Sequence, residues 1–77
     1  MFGYALAIAA KRKRAKELLT ELIGKYTGDA IRLIKEANLG VAVLSVDGQT
    51  LPSDGKFDPD RIGIVVQGGQ VTGAQIG

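Results

Sequence analysis

Val41-Ala-Val-Leu-Ser-Val46, then Asp47-Gly-Gln-Thr-Leu-Pro-Ser-Asp-Gly-Lys-Phe-Asp-Pro-Asp60, then Arg61-Ile-Gly-Ile-Val-Val66: the reading of this stretch decides the fold. The outer runs are β-branched and nearly all apolar, which predicts strands buried on at least one face. The fourteen residues between them hold two prolines and two glycines and show no helical periodicity, so they read as a loop. Loops of that length without internal structure are uncommon in compact domains and are usually functional or disordered. Parallel strands need a connection of a dozen or more residues, because the chain must return along the sheet. Residues 47–60 suffice for that, as an extended, exposed crossing tethered at both ends.

Downstream, Gln67-Gly-Gly-Gln70 separates the second strand from residues 71–76. A two-residue Gly-Gly connection predicts a hairpin, because either glycine accepts positive φ. Gly73 inside the last strand suggests a bulge or a frayed edge. Upstream, Ala30, Ile31, Leu33, Ile34 and Ala37 recur at helical spacing, with Asp29 in the first turn where the helix dipole favours negative charge. Thr27 is the expected cap of this helix, which runs to about Asn38, and Gly40 is the expected positive-φ stop.

Residues 5–23 contain no proline or glycine and are dominated by strong helix formers, so one long helix precedes Gly24, which ends it. Ile8, Ala15, Leu18, Leu19, Leu22 and Ile23 share a stripe at helical spacing, with Lys13, Lys16, Glu17 and Glu21 outward. The apolar run 2–10 is far shorter than the ~20 residues of a membrane-spanning helix. Its positive charges follow rather than precede it, which does not suit a cleaved signal peptide. Lys11, Arg12, Lys13 and Arg14 surround a full helical turn and read first as solvated, ahead of nucleic acid or a membrane surface. Phe2, Tyr4, Leu6 and Ile8 offer a face for self-association or for docking onto a larger particle.

Composition narrows the chemistry. The 77 residues include no cysteine, histidine or tryptophan, so zinc fingers, thiol or Ser-His-Asp catalysis and disulfide frameworks are excluded. One small domain with a single core is the expectation, stabilised by packing and hydrogen bonds alone. The net charge of +2 divides into +4 over residues 1–25 and −2 over the rest. That asymmetry predicts a basic segment appended to a neutral-to-acidic domain. Asp47, Asp54, Asp58 and Asp60 do not follow EF-hand spacing, and read instead as turn formers that bond their own backbone or pair with Arg61. No metal, cofactor or catalytic group is expected, and the composition points to binding rather than to an enzyme.

Glu21-Leu-Ile-Gly-Lys25, Ala30, the strand 41–46, the long loop, Asp60-Arg61-Ile62, alternating Ile64 and Val66, the glycine turn, Val71 and Ile76-Gly77 occur in the order of a known family. Over about residues 21–77 the chain resembles potato inhibitor I, the family of the barley chymotrypsin inhibitor and leech eglin. Pro59-Asp60-Arg61-Ile62 also resembles the Pro-Asp-Arg-Leu element of related bacterial inhibitors, whose cysteines are absent here. The resemblance implies an α+β fold: one helix on a small mixed sheet, with a long exposed loop between two parallel strands. Residues 1–20 would then be an N-terminal basic amphipathic helical extension and 21–77 the domain.

The resemblance also implies a function. Members bind serine proteases through the loop, which enters the cleft as an extended strand and is cleaved slowly because the scaffold holds its ends. Carried onto this chain, the protease-binding loop is Thr50, Leu51, Pro52, Ser53, Asp54, Gly55, Lys56 and Phe57, supported by Arg61 and the carboxylate of Gly77. The family's second supporting arginine falls on Gly63. Counted from Asp60-Arg61, the reactive bond joins Gly55 to Lys56; counted from Thr50-Leu51, it joins Leu51 to Pro52. Phe57 reads as an anchor tucking the loop onto the core, and Leu51 as the better exposed contact. The competing expectation is a structural or assembly protein that reuses the fold and docks through its N-terminal helix.

Overall fold

The structure is a computed structural model that describes residues 2–52 and 55–77, with the side chains of residues 2–11 left aside. It is an α+β fold of two helices and one four-stranded mixed sheet: α1 (Phe2–Glu21), α2 (Thr27–Glu36), β1 (Gly40–Val46), β2 (Gln49–Thr50), β3 (Arg61–Gln67) and β4 (Gln70–Ile76). The strand order is β2-β1-β3-β4. β1 and β3 are parallel, in register from Gly40 opposite Arg61 to Val46 opposite Val66, and β3 and β4 are antiparallel.

Alternation along β3 places Ile62, Ile64 and Val66 on the face that meets the helices, all of them buried. Leu18 from α1, Leu22 from the turn after it, Ala30 and Ile34 from α2, and Val71 from β4 close the same core. Fully burying an aliphatic side chain of this size stabilises by about 1.5–3 kcal/mol, so these few contacts carry most of the fold. Ala15 and Leu18 lie on the extension side of the boundary expected at residue 20, yet share that core with Leu22. Ile23, expected on the same stripe, is instead 48% exposed. α1 has closed at Glu21, and the turn through Gly24 (φ 86) swings Ile23 off the helical face.

Three local expectations change. Thr27 does not cap α2; Tyr26 occupies that position, and the Thr27 hydroxyl donates to Gly69 O at 3.0 Å. The stop after α2 is made by Asn38 at φ 59 rather than by Gly40, which begins β1. Asn tolerates the left-handed region because its short polar side chain can bond locally. The loop, read as structureless from 47 to 60, is shorter than that: Asp47 (φ 51) and Gly48 (φ 84) form a tight turn, and β2 pairs back on β1 with Val46 opposite Gln49. Asp-Gly is a strong hairpin dipeptide, with both residues at the positive φ that a type I′ turn needs. Among the described residues, those outside the strands here are therefore 51–52 and 55–60.

The Gly68-Gly69 hairpin forms as expected, both residues at positive φ. A bulge beside Gly73 leaves Thr72 without a register partner, since Val65 faces Gly73 and Val66 faces Val71. A second irregularity falls in β1. Val43 faces Ile64 and Ser45 faces Val65, so Leu44 is the extra residue.

Candidate functional site

Residues 51–60 leave the end of β2 and return to the start of β3, and the backbone pins them at both ends. Leu51 N–H donates to Leu44 O at 2.9 Å, and Gly40 N–H donates to Asp60 O at 2.8 Å. The closing turn is held by Arg61 N–H on Asp58 O at 3.2 Å and by Asp60 N–H on the Asp58 carboxylate at 2.9 Å. Asp58 thus bonds its own backbone, as a turn-forming aspartate does. Asp47 differs from the local turn former expected: at the far end of the sheet its carboxylate accepts from Gly68 N–H at 2.8 Å and ties the two hairpin turns together.

Between the pins stands a side-chain brace. The Arg61 guanidinium donates through Nη2 to Lys56 O at 2.6 Å. A charged donor on a carbonyl makes a shorter and stronger bond than a neutral one. Arg61 is itself fixed, because Gly77 N–H donates to Arg61 O at 2.8 Å. The Gly77 contact observed is through its amide and not the carboxylate expected to support the loop, and Gly77 lies close to the Phe57 ring, where a Cβ would stand 3.1 Å from Phe57 Cδ2.

Beneath the loop, on the sheet face away from the helices, lies a half-open recess of about 500 Å³, bordered by Leu44, Pro52, Lys56, Phe57, Arg61 and Gly77, among others. Gly63 is buried in β3, and Leu44, which borders the recess, fills the space a side chain there would take: a Cβ on Gly63 would stand 2.7 Å from Leu44 Cδ1. An aliphatic group from the bulged strand thus occupies the space over Gly63, the position where the resemblance would place a second arginine.

Of the residues expected to form the site, Thr50 lies in β2 paired with Ser45, Leu51 and Pro52 begin the loop, and Ser53 and Asp54 fall outside the described residues. Gly55, at φ 70, turns the chain, and Lys56 and Phe57 follow it, both exposed. Phe57 is not the anchor expected. It is 72% exposed, against 38% for Leu51, so the ranking of the two as outward contacts is reversed. The aromatic residue rests against Gly77 at the sheet edge instead of entering the core, which the helices already fill.

α1 passes close to this end of the loop. Arg12 and Lys16 share with Phe57, Pro59 and Ile76 a second open recess of about 430 Å³. Sequence reasoning missed this neighbourhood, since nothing local relates residues 12 and 57. Arg14 is occupied elsewhere, 3.2 Å from Glu21 and 3.5 Å from Glu17. The hydrogen bond to Glu21 raises its pKa above the ordinary arginine value. Comparison with protein-family models, curated proteins and solved structures found no match.

Proposed function

We propose that this chain is a serine-protease-inhibitor-like binding module, related in design to potato inhibitor I, that presents residues 50–57 to a protease cleft. The observation that carries the reading is the brace from Arg61 Nη2 to Lys56 O at 2.6 Å, in a loop pinned between parallel strands. The bond beside that brace joins Gly55 to Lys56. Lys56, on its downstream side, is held by Arg61, and Leu51, four residues upstream of Gly55, is held by Leu44 O. If a protease opened that bond, the new amine and the new acyl end would stay close together. Proximity of that kind favours resealing over departure. A loop already ordered by such contacts also loses less entropy on binding.

Inhibition assays of the full chain against subtilisin-like and chymotrypsin-like enzymes test this, with mass spectrometry locating any cut. Slow cutting with stoichiometric inhibition is the expected result. Rapid cutting of the loop without inhibition rejects it.

The alternative reading, assembly through the N-terminal helix, has one observation in its favour. α1 begins at Phe2, so Phe2, Tyr4, Leu6 and Ile8 lie on its backbone, and their side chains lie outside the described residues. Light scattering on the full chain and on residues 12–77 decides it, because a monomer in both removes the idea.

A further inference from the structure

We propose that the recess between α1 and the loop extends the loop's contact with the bound protein through Arg12 and Lys16, and that this partner carries an acidic rim beside an apolar pocket that receives Phe57. The inference rests on the inhibitor reading and names the surface chemistry of its target.

The recess combines two kinds of group. Phe57, Pro59 and Ile76 are apolar, and Arg12 and Lys16 are cationic. Phe57 is the most exposed of the large hydrophobic side chains among the described residues, and it adjoins the braced carbonyl of Lys56. An exposed aromatic ring at the edge of a binding loop is the sort of group that supplies affinity when a partner desolvates it.

The charges point the same way. Arg12 and Lys16 are four residues apart in α1 and so lie on one helical face, where like charges repel by a few tenths of a kcal/mol. Arg14, two residues on and roughly 200° round the helix, is neutralised by Glu17 and Glu21. Among the described residues neither Arg12 nor Lys16 enters an ion pair. Asp58 and Asp60 flank Pro59 in sequence, but neither borders the recess, and the Asp58 carboxylate is turned back onto the Asp60 amide. Two uncompensated cations beside an exposed aromatic fit carboxylates that ring an apolar pocket. Rim charges of this kind act mainly on the association rate and its salt dependence.

The test compares the full chain with R12E/K16E and with F57A, as inhibitors of serine proteases whose cleft rims differ in charge, at low ionic strength and in about 0.5 M salt, where exposed charges are screened. For an acidic-rimmed protease, R12E/K16E is expected to slow association roughly tenfold at low salt and to match the parent at high salt. F57A is expected to weaken inhibition at both. Both variants alter exposed side chains, and circular dichroism checks that each is folded. A parent that inhibits while R12E/K16E inhibits equally well at low salt overturns this inference and leaves the inhibitor reading standing. A parent that inhibits nothing overturns both.

Discussion

Leu44 and Gly63 are fitted to each other across the parallel pair: the isobutyl group of Leu44 fills the space over Gly63 so closely that a methyl there would meet three of its carbons at 2.7, 2.9 and 3.0 Å. The bulge in β1 makes this possible, because Leu44 is the residue without a register partner in β3. Glycine at 63 is therefore a packing requirement on the face beneath the loop. Gly63→Ala is expected to destabilise by ~1–3 kcal/mol through overpacking. Adding Leu44→Ala should recover part of that loss, and urea unfolding of the two single variants and the double variant measures the coupling.

Arg61 braces the loop through the carbonyl of Lys56. Arg61→Ala is expected to leave the sheet assembled and to raise the rate at which a nonspecific protease cuts near residues 55–57 by several fold, since a bond from a charged donor contributes ~1.5–3 kcal/mol. Arg61→Lys should not restore resistance, because an ammonium on a flexible stem lacks the preorganised fork of a guanidinium. Timed proteolysis read by mass spectrometry separates the three proteins.

The boundary at residue 20 has a direct check. A chain of residues 12–77 keeps every described core side chain and is expected to unfold cooperatively. One of residues 21–77 loses Ala15 and Leu18, and should behave as a poorly ordered polypeptide. Leu18→Ala in the full chain should by itself cost about 2–5 kcal/mol. Thermal unfolding followed by circular dichroism reads all three.

Asp47 does two things at once: it adopts φ 51 in the first hairpin turn and accepts a bond from the second. Asp47→Asn is expected to be nearly neutral, since Asn enters the left-handed region and keeps an acceptor oxygen. Asp47→Ala should lose roughly 1–3 kcal/mol, because it combines backbone strain with a missing hydrogen bond. Chemical denaturation of the pair against the parent shows the difference.

What was legible in the sequence followed from rules that act locally or through chain length. The parallel pairing of β1 and β3 was allowed by the length of the segment between them and implied by the resemblance, while the Gly68-Gly69 turn could be read from its φ requirement and α2 from its apolar stripe. The Asp47-Gly48 turn was equally local, but its dipeptide was absorbed into a loop that already looked complete. Other features depend on atoms brought together only by the fold. The exposure of Phe57 depends on a core that α1 and α2 already fill, and the fit of Leu44 to Gly63 depends on a bulge. The approach of Arg12 to Phe57 joins residues more than forty positions apart, and no periodicity encodes it.

The core draws on both sides of the loop: Leu18, Leu22, Ala30, Ile34 and Leu39 precede it, while Ile62, Ile64, Val66 and Val71 follow it. Made as two separate peptides divided near Gly55, neither half would own an interior, and each would find its only dry surface in the other. Such a pair is a ready split reporter, dark when its halves are apart and restored only where they meet.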